Sequence, residues 1–194
     1  KTQSALLESM EERQVSVDGT TYQLELPFMV IATQNPIEME GTYPLPEAQR
    51  DRFMARIAIG YPTPSAELDM LESHGTTDPL AALEPVTDGA TVQGLIEAVK
   101  TVYVSPAVKN YLVQIVHATR TSRELRLGAS PRATLQLLRA SRASAALGGR
   151  DYVSPDDVQA ILPQVIAHRL HPRPGAGRGA VEQVRAMVEA IPLP

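Results

Sequence analysis

The sequence predicts a mixed α/β chain in two parts: the closing segment of an open α/β core carrying a β-hairpin, then a mostly helical domain. Three observations carry this. An Asp18-Gly19 pair sits between two alternating segments. Two short, nearly all-apolar runs, 28–33 and 57–59, flank a helical stretch. Beyond Gly60 strand-like runs become scarce and helix starts multiply. The expected boundary separates residues 1–61 from 62–194.

Taken in order, residues 1–14 read as a helix with Leu6, Leu7 and Met10 on one face. The Asp18-Gly19 turn demands positive φ at both central residues, which this pair tolerates, so it specifies a two-residue hairpin. Phe28-Met29-Val30-Ile31-Ala32-Thr33 fits a strand covered on both faces, and Pro36 ends it. A helical stretch from about Pro46 to Ala55 leads to Ile57-Ala58-Ile59, a second core strand. Thr63-Pro64, Ser105-Pro106, Ser130-Pro131 and Ser154-Pro155 each place a capping hydroxyl before a proline at the first helical position. After Ser105, Val108, Tyr111, Leu112 and Ile115 keep helical spacing; after Ser130, Leu135, Leu138 and Ala145 suggest the apolar face. A Pro/Gly loop, 171–180, precedes a last helix from Val181 to Ala190. Two parallel strands cannot make a doubly covered sheet, which needs several βαβ units. Together with a first residue that is Lys1, not Met, this predicts a piece of a longer protein.

Composition bounds the function. The 194 residues are 43% apolar and 21% charged, as in ordinary globular proteins. No cysteine is present, which excludes disulfides and thiolate metal sites and makes the cytoplasm the expected compartment. No apolar stretch is long enough to span a membrane. Charge is uneven: residues 1–100 hold 6 basic and 16 acidic side chains, residues 101–194 hold 12 and 6. The arginine-rich region from Arg120 to Arg150 suits either a phosphate-bearing ligand or a solvated helical face. It lacks interleaved aromatics and any nucleic-acid reading motif, so nucleic acid is not the expected partner. The four histidines, His74, His117, His168 and His171, lack metal-ligand spacing apart from the weak His168/His171 pair, and are expected in surface or cap roles.

Thr33-Gln34-Asn35-Pro36 places an amide just past the C-terminal end of an apolar run, where open α/β sheets bind ligands. An amide there can orient a water or meet a phosphate oxygen; a plain Asn-Pro turn is the alternative. Further on stands Glu40-Gly41-Thr42-Tyr43-Pro44-Leu45-Pro46-Glu47-Ala48-Gln49-Arg50-Asp51-Arg52-Phe53. With the preceding Ala-Thr-Gln-Asn-Pro, and with the opening helix and hairpin, it closely resembles the MoxR family of AAA+ ATPases. The likeness is nearly unbroken to about Pro62 and returns at Gly128-Ala129-Ser130-Pro131-Arg132-Ala133.

That resemblance implies the C-terminal part of an AAA+ P-loop NTPase core, with a partial parallel sheet and a β-hairpin insertion, followed by a helical lid. It implies ATP and Mg²⁺ as ligands of the intact protein. Asn35 falls on the family's sensor 1 position, which helps place the attacking water near the γ-phosphate. Arg52 falls on the arginine finger, which in a ring reaches the ATP of the neighbouring subunit. Arg50 stands two residues earlier, where the family has an apolar residue, and the sequence leaves open which of the two is the finger. Arg132 falls on the sensor 2 arginine of the lid. It also sits in the first turn of its helix, where the macrodipole disfavours a cation, and that breach of a local rule points the same way. The hairpin is either a loop facing the central pore or edge decoration, and Glu38 and Glu40 read as a solvated loop.

A P-loop needs Gly-Lys-Ser/Thr, yet the three lysines, Lys1, Lys100 and Lys109, follow no glycine. Nor does an apolar strand end in Asp-Glu to hold Mg²⁺. The polypeptide by itself is therefore expected neither to bind ATP tightly nor to hydrolyse it. The leading functional expectation is an ATP-driven remodelling chaperone, acting as a ring, commonly a hexamer, on client proteins that include von Willebrand factor A domain proteins. The alternative is a stable, non-catalytic protein-interaction module.

Overall fold

The computed structural model describes residues 9–34, 45–74, 79–175 and 179–194. Residues 9–12 are helical and run into the hairpin of β1 (Gln14–Val17) and β2 (Thr20–Gln23). The strands pair antiparallel from Gln14↔Gln23 to Val17↔Thr20, with Asp18 at φ 49° and Gly19 at φ 80°. This is the turn that Asp-Gly specifies.

The two apolar runs form no strands. Residues 28–34 and 55–63 carry no regular structure, and Met29, Ile31, Ile57 and Ile59 are 74–94% exposed. A strand exists only through a neighbour that completes its ladder, and among the described residues nothing pairs with either run. The helix expected over 46–55 shortens to α1 (Glu47–Arg50).

The helical part contains α2 (Pro64–His74), α3 (Gly89–Thr101), α4 (Pro106–Thr121), α5 (Pro131–Leu147), α6 (Pro155–Ile166) and α7 (Ala180–Glu189). A short antiparallel pair, β3 (Leu125–Leu127) with β4 (His171–Pro172), ties α4 to the segment after α6. The hydrophobic core of the described residues lies between Val102 and Val184, with Tyr111, Leu112, Ile115, Leu137, Leu162 and Ile166 all within 2% of complete burial.

Helix starts follow their caps. Ser105 Oγ accepts from the Val108 amide at 3.1 Å, and the buried face of α4 includes Val108, Tyr111, Leu112 and Ile115, the spacing expected. At α6, Ser154 and Asp157 form a reciprocal capping box. Helix α3 was not signalled by a Ser/Thr-Pro pair; its cap is Asp88, which accepts from the Thr91 amide at 2.7 Å.

Two local expectations change at α5. Its buried face follows Ala133, Leu137, Ser141 and Ala145, a four-residue spacing of mostly small side chains with Gln136 buried beside it, while Leu135 stays 56% exposed. Small residues let the α5 and α6 backbones approach, so hydrophobicity alone mislocates the face. Ser130 does not cap the helix through its side chain: its hydroxyl donates to both carboxylate oxygens of Asp51, at 2.9 and 3.1 Å.

Candidate functional site

The DRF segment, residues 51–53, lies against the helical part through polar contacts. Arg56 donates its amide to the Gln164 carbonyl at 2.9 Å. His168 places Nε2 at 3.1 Å from the Phe53 carbonyl and Nδ1 at 3.1 Å from the Gln164 carbonyl. Gln136 Nε2 donates to the Arg52 carbonyl at 3.5 Å. Asp51 is held by Ser130 and by Arg169, whose Nε donates to its carboxylate at 3.0 Å.

This docking brings Arg52 and Arg132 together. Arg52 Nη1 donates to Oε2 of Glu11, and Arg132 Nη2 donates to Oε1 of the same carboxylate. Glu11 lies in the helical residues just before the hairpin. The three side chains are 28%, 40% and 36% exposed, so the cluster is open to solvent along one side. Two guanidiniums thus share one carboxylate in a charge-assisted cluster, and the same fork of donors suits other anionic oxygen groups. Of the acids near Arg52 in sequence, Glu47 pairs with Arg126 and Asp51 with Arg169. Arg50 takes another direction. Its Nη2 lies 3.4 Å from His171 Nδ1, and its Nε is buried with no hydrogen-bond partner among the described residues.

Asn35 lies outside the described residues, as do Glu38 and Glu40. Among the described residues no cluster of His, Asp or Glu is arranged to hold a metal ion.

The histidines need one correction. His117 is exposed, but His168 is buried, 7% accessible. Burial, and next the adjacent Arg169 guanidinium, push His168 down from 6.5 to about 4, against two carbonyls that pull it upward. An unfolded chain therefore takes up this proton first. The stabilisation is complete above 6.5 and is lost as pH falls from there towards 4, by on the order of 2–3 kcal/mol. Urea titrations of wild type and His168→Gln between pH 7 and 4.5 should show a flatter pH dependence in the variant. Identical slopes would remove His168 as the cause.

Sequence reasoning missed Glu11, Gln136 and Arg169. Only Arg169 left a signal, as a charged residue inside the mainly apolar 158–170 stretch.

Comparison with known proteins bears on the family. Residues 1–55 match the family model described as ATPase family associated with various cellular activities (AAA), and residues 117–191 match the AAA lid domain. The YeaC protein of Bacillus subtilis is 46% identical over 197 residues, covering all of this chain and 62% of the relative. Chaperone MoxR1 of Mycobacterium tuberculosis is 45% identical over 179 residues, 88% of this chain and 47% of its own length. Protein MoxR of Paracoccus denitrificans is 32% identical over 212 residues, 97% of this chain and 62% of the relative. A crystal structure from Cytophaga hutchinsonii, named as a candidate ATPase, superposes with a TM-score of 0.91 at 33% identity, covering 99% of this chain and 62% of that one. The chain thus spans about half to three fifths of the length of these relatives. Motif, fold and relatives agree that it belongs to the MoxR family of AAA+ ATPases.

Proposed function

We propose that this chain is the arginine-bearing part of an ATP-hydrolysing remodelling chaperone, with residues 1–61 closing the α/β core and 62–194 forming the lid. The observation that supports it most is the convergence of Arg52 and Arg132 on one carboxylate. Phosphoryl transfer is catalysed by positioning and by neutralising charge on the transferred group, which is what two fixed guanidiniums supply. In this reading the terminal phosphate of ATP takes the place of the Glu11 carboxylate. Arg52 is the finger, since Arg50 turns toward His171 instead. Because the two arginines reach one point, both serve the same nucleotide; a finger that acts on the neighbouring subunit's ATP carries Arg132 there with it.

Asn35 is the residue proposed to place the attacking water. Mg²⁺ accompanies ATP and would offset phosphate charge; no described residue of this chain is assigned to hold it. A ring, with six subunits as the working expectation, follows from a finger that acts between subunits. Client proteins, including those with von Willebrand factor A domains, and a cytoplasmic location complete the proposal. Among the described residues no helix is long and apolar enough to cross a membrane.

The test compares two polypeptides. The full-length protein should release phosphate from ATP, whereas the 194 residues alone should show neither turnover nor saturable binding in the micromolar range. Tight ATP binding by the 194 residues would contradict the division of labour.

A further inference from the structure

Arg169 is a charged side chain 1% exposed, on the 3₁₀ turn 167–169 that follows α6. Its donors all have acceptors, and the acceptors fall into two groups. Nε meets the Asp51 carboxylate at 3.0 Å, Nη2 the Asp51 carbonyl at 3.1 Å and the Phe53 carbonyl, and Nη1 the Met54 carbonyl at 3.4 Å. Those belong to the residues on either side of Arg52. The others are the Val165 carbonyl of α6 and the Gln136 side chain of α5. Asp51, in turn, accepts from Ser130, two residues before Arg132.

Stability alone does not account for an ion here. Burial pulls the Arg169 guanidinium down from its ordinary value, with Asp51 opposing. A buried ion pair is often no more stable than well-packed apolar residues of similar size. What a guanidinium offers is a rigid fork reaching several backbone carbonyls at once, which neither an ammonium nor an apolar side chain can do.

We infer that Arg169 and Asp51 form a positioning pair that fixes the backbone around Arg52 to the helix carrying Arg132, so that lid and finger move as one piece. This rests on the proposed role of Arg52. Neither Arg169 nor Asp51 touches the phosphate position; they act through Arg52.

The test uses ATP turnover by the full-length protein in two backgrounds. Arg169→Lys keeps the charge but loses the fork, so kcat should fall ~10–100-fold, the scale of an ångström-sized misplacement, with KM for ATP within about twofold. In an Arg52→Ala background the same change should alter kcat by less than about twofold, because nothing remains to be positioned. A merely structural role would lower both backgrounds alike by reducing the folded fraction. Ser130→Ala, which removes one support of Asp51 at a part-exposed site, should act the same way at about 3–10-fold, and decides the matter should Arg169→Lys not fold. Equal losses in both backgrounds, or no loss in either, would overturn the inference. If Arg52→Ala itself leaves kcat unchanged, the failure lies in the proposed function instead.

Discussion

Replacing Arg52 by Ala in the full-length protein should lower kcat for ATP hydrolysis by roughly three to five orders of magnitude, the effect of withdrawing an arginine from a phosphoryl-transfer transition state. The charge it offsets develops mainly as the terminal phosphate departs, so the loss belongs in kcat and KM should change little. The geometry sharpens this expectation. Arg52 is held through its backbone and through Asp51, while its guanidinium meets the part-exposed Glu11 carboxylate that it shares with Arg132. Truncation should therefore remove the charge without disturbing the support. The measurement is phosphate release under saturating ATP, alongside a thermal melt. A folded variant with wild-type turnover would exclude Arg52 from the chemistry. Arg50→Ala is the natural control, and loss of turnover there alone would move the finger by two residues.

The second large effect concerns stability. Arg150 places Nη1 at 2.5 Å and Nη2 at 2.6 Å from the two carboxylate oxygens of Asp157, which is 3% exposed. That carboxylate also accepts from the Ser154 amide at 2.8 Å and from the Ser144 hydroxyl at 3.2 Å. The Arg150 guanidinium is the largest influence holding the Asp157 carboxyl far below its usual range, with the Ser154 bonds adding to it. Removing Arg150 leaves a buried carboxylate without its cation, which should destabilise the fold at neutral pH, with part of the loss offset by water because the arginine is one-third exposed. Because the aspartate is depressed in the folded state, its contribution is present above the unfolded value near 3.8 and disappears as pH falls through the folded one. Chemical denaturation of Arg150→Ala at pH 7 and near pH 2 separates the parts: the deficit should be large at the first and shrink at the second. A constant deficit would mean that packing, not the ion pair, is what was lost.

How much of this could be read from residues alone depends on the range of the interaction. The Asp18-Gly19 turn and the capped starts of α4 and α6 are local, decided within four residues, and the chain states them openly. The small-residue face of α5 is half legible: its period is visible, but Ala133, Ser141 and Ala145 carry too little hydrophobicity to mark it against Leu135 and Leu138. The apolar runs at 28–33 and 57–59 have the composition of buried strands, yet strand formation depends on a neighbour rather than on composition.

The same reasoning applies to the candidate site. Family resemblance points to Arg52 and Arg132 as separate motifs, and their meeting at Glu11 joins residues 41 and 121 positions apart. No spacing rule reaches that far. Arg169 was legible only as an anomaly, a full charge among apolar neighbours, whose partners 115–118 residues away are supplied by the fold.

Helix α5 runs 17 residues from Pro131, beside Arg132, to Leu147, close to the Arg150–Asp157 pair. At 1.5 Å per residue it is a rod of about 25 Å, so a tilt of about 5° at one end swings the other by about 2 Å. Its Ala133–Ala145 seam leaves little slack for sliding along α6. In the proposed function such a rod would act as a lever, carrying a small shift at the Arg132 end to the Arg150–Asp157 end as a larger one.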